Sequence, residues 1–268
     1  MNQVHRNGLH RDAAAAQQIA ALTRINTAEL LEALGLDRVR RGRSVLEWLC
    51  RPAARHIAER MVLYDRILRD HGLREGARLI LPHLGTQLEV LGANSVPRSG
   101  PLLIASNHPG LTDALAIFAS VDRTDLRVVA ADYPLLQNLW GIRQHFIFVP
   151  RAPCARLHVL RDVIDHLRCG GAILLMPAGR IEPDPAVLPG ASASLDTWSS
   201  SIGLIVRRAP SACVVPALVS GVLAASFQRH PLTRLRRSGA DRQRLGTTLQ
   251  VLAPNRLRSW CDSRMVSR

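Results

Sequence analysis

The sequence contains no lysine, so all 35 of its basic residues are arginine. Set against 21 acidic residues, they give the chain a formal net charge of +14. Such a charge attracts nucleic-acid phosphates, an anionic bilayer surface or small phosphorylated substrates, unless the arginines only cover a solvated surface. Aromatic residues make up only 4% of the chain, which argues against a protein that stacks single-stranded bases on exposed rings. We therefore expect no nucleic-acid partner.

The cysteines and glycines do not form the usual metal or nucleotide motifs. The five cysteines are an odd number without C-x-x-C spacing, so neither a zinc site nor a disulfide framework is predicted. Glycine-rich loops of the Walker and dinucleotide-binding types are missing, which argues against a bound nucleotide cofactor. The N-terminal residues contain no apolar core of the signal-peptide type, so we expect a cytoplasmic protein. From the missing cysteine and glycine motifs we expect no metal ion and no bound cofactor.

The nucleophile motif of serine hydrolases, G-x-S-x-G, is also missing. The nearest string, GASAS at 190–194, lacks the closing glycine and falls in a predicted loop. A serine-type lipid hydrolase therefore stays an alternative with little support from the sequence.

One uncharged run, residues 209–227, is 19 residues long and could by length alone cross a bilayer. Pro210 and Pro216 interrupt it, together with several serines and glycines. The run is better interpreted as a buried strand followed by a loop or a short helix.

Residues 1–85 form a predicted helical segment that precedes an α/β domain at 86–268. Within this segment, Asn26 with Glu29 and Ser44 with Glu47 have the spacing of capping boxes, which predicts helix starts at both places. Gly35 is expected to end the first helix.

The stretch that follows Ser44 has the pattern of a long amphipathic helix with a cationic side. Pro52 is expected to kink this helix or to reset its start, and Gly72 to end it. The apolar side either packs on the rest of the protein or lies in a bilayer interface. The predicted apolar residues are Leu46, Leu49, Ala53, Ile57, Met61, Tyr64 and Leu68.

From residue 88 onward, short apolar runs alternate with helical patterns. This alternation predicts an α/β fold with a mixed, mostly parallel sheet and helices on both faces, preceded by the N-terminal helical segment. The predicted strands are 88–91, 102–105, 126–130, 146–149, 172–176, 213–219 and 248–252, and the predicted helices are 109–120, 154–169 and 195–208.

A strongly basic segment at 229–244 follows, with six arginines against one aspartate. It is predicted to be a cationic loop that either faces solvent or contacts an anionic lipid or the carrier of a substrate. Its arginines are Arg229, Arg234, Arg236, Arg237, Arg242 and Arg244.

A histidine and an aspartate lie where an apolar strand meets a helical pattern, in LLIASNHPGLTDAL at 102–115. This corner places His108 where open α/β sheets commonly display catalytic groups. Asp113 is close enough along the chain to reach one imidazole nitrogen and to leave the other as a general base. The spacing alone is weak, because a capping histidine and an unrelated surface aspartate would give the same pattern.

Four segments resemble, in order, the conserved blocks of the glycerolipid acyltransferases, the family of lysophosphatidic acid and glycerol-3-phosphate acyltransferases. Residues 107–113, NHPGLTD, resemble the first block, N-H-x4-D. Residues 148–151, FVPR, resemble the second block, which closes F-x-x-R. Residues 174–180, LLMPAGR, resemble the third, F-P-E-G-T-R, and 213–218, CVVPAL, resemble the fourth, a V-P-A strand. The resemblance spans residues 88–221.

The resemblance implies an O-acyltransferase that moves a fatty acyl group from acyl-CoA or acyl carrier protein to a lysolipid or a related lipid hydroxyl. His108 would be the general base and Asp113 its partner. The expected location is the cytoplasmic face of an anionic membrane, where the chain would bind peripherally. A membrane-binding protein of the same fold with weakened catalysis is the alternative. The implied substrate-binding residues are Asn107, Arg151, Gly179 and Arg180.

The third block departs from the family pattern. Ala178 stands where the family has glutamate, and the block is one residue short. His145 likewise stands where a glycine precedes the second block. Glu182, two residues beyond Arg180, is an alternative source of a carboxylate. These departures leave the identity of the acceptor open.

Overall fold

Two long helices form the N-terminal part of the protein. The computed structural model describes residues 2–110, 112–152, 156–253 and 261–266. Helix α1 spans Asn2–Leu34 and ends at Gly35, whose φ of 76° suits a helix terminus, as predicted. Helix α2 spans Arg43–His83 and passes through Pro52, but breaks at Gly72, which has φ 79° and ψ 168°. Gly72 therefore ends the first part of α2, as expected.

Both predicted capping boxes are wrong. Asn26 is buried in the middle of α1, where its amide donates a hydrogen bond to the carbonyl of Ala54 in α2. Helix α2 begins at Arg43 after Gly42, and no side chain caps it. Packing between the two helices thus overrides the local capping signals.

The buried side of α2 is rotated from the predicted one. Ala54, Ala58 and Val62 are buried, and Ala58 and Val62 pack with Leu22 of α1. Small residues at this contact allow the two helices to approach closely. Leu49, predicted to lie on the apolar side, is 59% exposed.

A seven-stranded mixed sheet forms the rest of the core, in the order β1-β7-β6-β2-β5-β3-β4. The five strands from β6 to β4 are parallel, whereas β7 runs antiparallel to β6 and parallel to β1. The predicted α/β fold with a mostly parallel sheet is confirmed. The strands are β1 (Thr86–Leu91), β2 (Leu102–Ser106), β3 (Leu126–Ala131), β4 (Phe146–Val149), β5 (Ala172–Leu175), β6 (Cys213–Ser220) and β7 (Cys261–Val266).

Helices cover both faces of the sheet. In β2, Leu102 and Ile104 join the cluster formed with α2 and α3, whereas Leu103 joins the cluster with α5 and α7. Every residue of β2 is buried, as expected for a central parallel strand. The remaining helices are α3 (Asp113–Ser120), α4 (Pro134–Gln137), α5 (Arg156–Arg168), α6 (Ala191–Ser194), α7 (Ser201–Arg208), α8 (Ala225–Gln228) and α9 (Gly239–Leu252).

The predicted strand at 248–252 is wrong, because these residues belong to α9. Ser238 caps this helix by accepting a hydrogen bond from the main-chain N–H of Asp241. The basic segment at 229–244 is accordingly not a plain loop: it holds a 3₁₀ helix, Pro231–Leu235, and the start of α9. The predicted helix start at 154 lies outside the described residues.

The uncharged run at 209–227 folds as strand β6 and most of the short helix α8, as predicted. The expected burial of the strand is wrong, because only Ala217 and Val219 of β6 are buried. Among the residues that the model describes, no helix is long and apolar enough to cross a membrane.

Candidate active site

His108 lies in the loop that connects β2 to α3, at the carboxyl edge of the parallel strands. The residue before it, Asn107, is buried, and its amide group both donates to and accepts from the main chain of Val219 in β6. This pair of hydrogen bonds fixes the end of β2 against the neighbouring strand. The resemblance implied that Asn107 binds substrate; in the structure its amide is engaged by the main chain of Val219.

Asp113 is the first residue of α3, because this helix begins four residues later than predicted. Its carboxylate lies 2.6 Å from Nδ1 of His108, and the side chain of Asp113 is only 1% exposed. The same carboxylate accepts hydrogen bonds from the main-chain N–H groups of Gly110 and Ala114. The predicted pairing of His108 with Asp113 is therefore present.

The hydrogen bond to Asp113 decides which nitrogen of His108 is available. A carboxylate can only accept, so Nδ1 carries the proton and Nε2 of the neutral ring keeps its lone pair. The side chain of His108 is 30% exposed. The ring is therefore a base held in one tautomer and reachable from solvent.

The charges around His108 raise its pKa above the ordinary value. Burial lowers the pKa of the ring, but the charge and hydrogen bond of Asp113, together with the charge of Glu182, outweigh that effect. The two carboxylates favour the imidazolium that forms when His108 takes a proton.

Glu182 contacts the main chain of His108 from the loop after β5. Its Oε2 accepts from the His108 N–H at 2.9 Å, and its own N–H donates to the His108 carbonyl at 2.8 Å. Its Oε1 accepts from the Ser194 hydroxyl and the Trp198 indole N–H. The sequence indicates Glu182 only as an alternative source of a carboxylate, two residues beyond Arg180.

Asp184, which sequence reasoning missed, fixes the same loop. It is fully buried and accepts hydrogen bonds from the main-chain N–H groups of Ala186, Gly221 and Leu223. These bonds join the loop after β5 to the loop after β6. The signal in the sequence is the pair of acids in I-E-P-D at 181–184, which stands in an otherwise apolar and proline-rich stretch.

The two predicted anion-binding arginines follow strands that lie at different distances from β2, the strand that precedes His108. Arg180 is exposed and follows β5, which is hydrogen-bonded directly to β2. Gly179 beside it is exposed and has φ 61°. Arg151 is exposed and follows β4, three strands from β2 and thus about 14 Å away across the sheet. The main-chain positions of Arg151 and His108 are thus separated by three strand spacings.

Helix α9 packs directly on the candidate site. The Gln243 side chain donates to the carbonyls of Glu182 and Pro109. Next to it, Arg244 pairs with Glu29 and Glu32 of α1. The basic segment is therefore joined both to the loop that carries His108 and to the N-terminal helices.

The described side chains offer no obvious metal site: among them, no group of three or more histidine, cysteine, aspartate or glutamate residues is placed to hold an ion. The hydroxyl of Ser194 donates to Glu182 and to the carbonyl of Ala191. Among the described residues, no serine hydroxyl is hydrogen-bonded to the ring of His108, so the arrangement of a serine hydrolase is not formed there.

Comparisons with known proteins give little further information. No family model matches the chain, and no curated protein matches it. Among solved structures, the chain is similar to the 1-acyl-sn-glycerophosphate (LPA) acyltransferase of Thermotoga maritima, with a TM-score of 0.40 and 18% sequence identity. The match covers 78% of this chain and 75% of that one. A likeness this distant does not establish a shared fold or activity.

Proposed function

We propose that this chain is an O-acyltransferase that moves a fatty acyl group from acyl-CoA or acyl carrier protein to a lysolipid or related lipid hydroxyl. The observation that carries the proposal is the 2.6 Å contact between His108 Nδ1 and the buried Asp113 carboxylate, which leaves Nε2 of this partly exposed side chain as a base. The four ordered blocks in the sequence support acyl transfer as the reaction.

The proposed reaction needs one base and no covalent intermediate. Nε2 of His108 takes the proton of the acceptor hydroxyl while the oxygen attacks the thioester carbonyl. The C–S bond then breaks, and the leaving thiolate takes the proton back from the imidazolium. Asp113 stabilises the imidazolium between these two steps.

The two arginines serve different anionic groups in this proposal. Arg180 follows the strand next to His108, so it binds an anionic group close to the acceptor hydroxyl. Arg151 lies about 14 Å across the sheet edge, so it binds a second group, such as a phosphate of the acyl donor. The planar fork of arginine suits both carboxylate and phosphate.

An exposed apolar and cationic surface favours an anionic membrane as the source of the acceptor. Trp48 is 71% exposed at the start of α2 and Leu235 is 76% exposed in the 3₁₀ helix. The guanidinium of Arg236 lies against Gly35 at the end of α1, so the 3₁₀ helix and the turn between α1 and α2 are neighbours. We name the exposed apolar side chains of these two segments the interface patch: Leu34, Val45, Trp48, Leu49 and Leu235.

Arginines flank these residues in the sequence, at positions 38, 40, 41 and 43 and at positions 234 and 237. Aliphatic and tryptophan side chains among cationic residues are typical of surfaces that lie in an anionic lipid interface. The anionic lipids of the cytoplasmic leaflet make that face of the membrane the proposed location of the chain.

The test of the proposed function uses the purified chain, one acyl thioester and a panel of lysolipids in anionic vesicles. Release of free thiol that depends on a lysolipid, with an acylated lipid of the matching mass, supports acyl transfer. Thiol release or lipid breakdown without a new acylated product would indicate a hydrolase. Vesicle binding without either reaction would indicate a membrane-binding protein with weakened catalysis.

A further inference from the structure

The main chain of His108 has no partner from secondary structure, because the residue lies between the end of β2 and the start of α3. Its N–H and its carbonyl are both bound by Glu182, the first by the carboxylate and the second by the main chain. One residue from a different loop therefore holds both main-chain groups of the base. A reacting nitrogen that is displaced by about 1 Å can lose a hundredfold in rate.

The Glu182 carboxylate is itself fixed in place. It is 1% exposed, and its second oxygen accepts from the Ser194 hydroxyl at 2.8 Å and from the Trp198 indole at 2.9 Å. Together with the His108 N–H, these three groups are all hydrogen-bond donors, and a carboxylate can accept from all of them. A buried charged group is tolerated only where it has such partners, so this arrangement fits a carboxylate far better than a neutral amide.

We propose that Glu182 is a positioning residue for His108: it holds the main chain of the base and places a second buried negative charge beside it. This inference rests on the proposed function for its kinetic consequence, but not for its electrostatic one. Because Asp113 holds the ring and Glu182 holds the backbone, the two carboxylates fix different parts of the same residue.

The charge of Glu182 also contributes to the raised pKa of His108. Three factors shift this pKa, the largest first: burial of the ring lowers it, and the carboxylates of Asp113 and Glu182 raise it. Removal of the Glu182 charge should therefore lower the pKa of His108. A residue that only filled space in the loop would not have this effect.

Glu182→Gln is the principal test, because it keeps the shape and removes the charge. Glutamine has one acceptor oxygen, so its NH₂ group must face either the His108 N–H or the donors of Ser194 and Trp198, and one contact is lost. We expect kcat to fall about ten- to a hundredfold with little change in KM, and the pKa of His108 to fall. Glu182→Asp keeps the charge but shortens the side chain, so it should lower kcat and leave the pKa raised.

The pKa is measured by NMR on the full chain with labelled histidine. The chain has 10 histidines, and the His108→Ala variant identifies the resonance of His108. Asp184→Asn is the matched control, since Asp184 is buried in the same loop and accepts three hydrogen bonds, all from main-chain N–H groups, but is not among the charges that shift the pKa of His108. We expect Asp184→Asn to lower stability and to leave the pKa of His108 unchanged.

The titration needs no turnover, so it separates this inference from the proposed function. If the parent protein transfers no acyl group but Glu182→Gln still lowers the pKa of His108, the proposed function fails and the positioning role stands. An unchanged pKa in Glu182→Gln, or an equal fall in Asp184→Asn, overturns the positioning role. If Glu182→Gln does not fold, Glu182→Asp decides: an unchanged kcat in that variant would also overturn it.

Discussion

Replacement of Asp113 by asparagine removes the negative charge that lies 2.6 Å from His108 Nδ1 while the shape of the side chain is kept. A hydrogen bond to a charged group contributes about 1.5–3 kcal/mol, and about 1.4 kcal/mol corresponds to a factor of ten in rate. We therefore expect Asp113→Asn to lower kcat about ten- to a hundredfold. The loss is larger if the amide NH₂ faces the ring, because His108 then carries its proton on Nε2 and is no longer a base there.

The same substitution should move the pH dependence of the reaction. His108 accepts a proton only when it is neutral, so the rate rises with pH through the pKa of His108. Burial lowers this pKa and Asp113 raises it, so loss of the Asp113 charge lowers it. The rate of the Asp113→Asn variant should therefore level off at a lower pH than the rate of the parent, and its maximum value should be smaller.

The assay is kcat/KM for thiol release as a function of pH, with saturating donor and the same lysolipid for each variant. Asp125→Asn is the control, because Asp125 likewise pairs with a basic side chain, that of Arg123, but precedes β3 at the amino ends of the parallel strands. The control should leave the acid limb of the profile in place. An acid limb for Asp113→Asn that coincides with that of the parent would refute the argument.

Three further outcomes are expected. Leu103→Ala, at a fully buried position in β2, should lower the free energy of unfolding by about 2–5 kcal/mol in urea denaturation; a loss below 1 kcal/mol would contradict the packing described. Trp48→Ser with Leu235→Ser should weaken binding to anionic vesicles, and salt should release the parent, since each cationic residue near the surface contributes about 1 kcal/mol; Leu157→Ser, at an exposed leucine of α5, is the control. In a mixture of lysolipids, the loss of the glutamate at Ala178 predicts that lysophosphatidic acid is not the fastest acceptor, and a clear lead for it in the resolved products would contradict this.

The parallel sheet and the pairing of His108 with Asp113 could both be predicted from the sequence. Six of the seven predicted strands match observed strands closely, because short apolar runs mark both fully buried strands such as β2 and partly exposed ones such as β6. His108 and Asp113 are five residues apart, so a local pattern is enough to suggest that they meet.

The errors in the N-terminal helices have a common physical origin in contacts between distant segments, whereas the error at 248–252 is local. Asn26 has the local signature of a cap but is buried by α2 through its contact with Ala54. The buried side of α2 carries the small residues Ala54 and Ala58, which face α1. The periodicity of the larger apolar residues does not indicate this side. Residues 248–252 have a strand-like composition, but the helix capped by Ser238 continues through them.

The partners of His108 from other loops could not be predicted for the same reason. Glu182 is 74 residues away in the sequence, and its contact is with the main chain of His108, which no side-chain motif encodes. Asp184 likewise acts on the main chain of another loop. The acids in I-E-P-D become informative only after the sheet has brought the two loops together.

The central claim, that Nε2 of His108 is the general base for acyl transfer, is tested most directly by steady-state transfer in the His108→Ala variant. Circular dichroism and thermal unfolding establish that the variant is folded, and transfer is measured as lysolipid-dependent thiol release with the acylated product identified by mass. Loss of a general base should lower kcat about a hundred- to ten-thousandfold. Transfer by well-folded His108→Ala within about threefold of the parent, far less than the loss of a general base costs, would contradict the account.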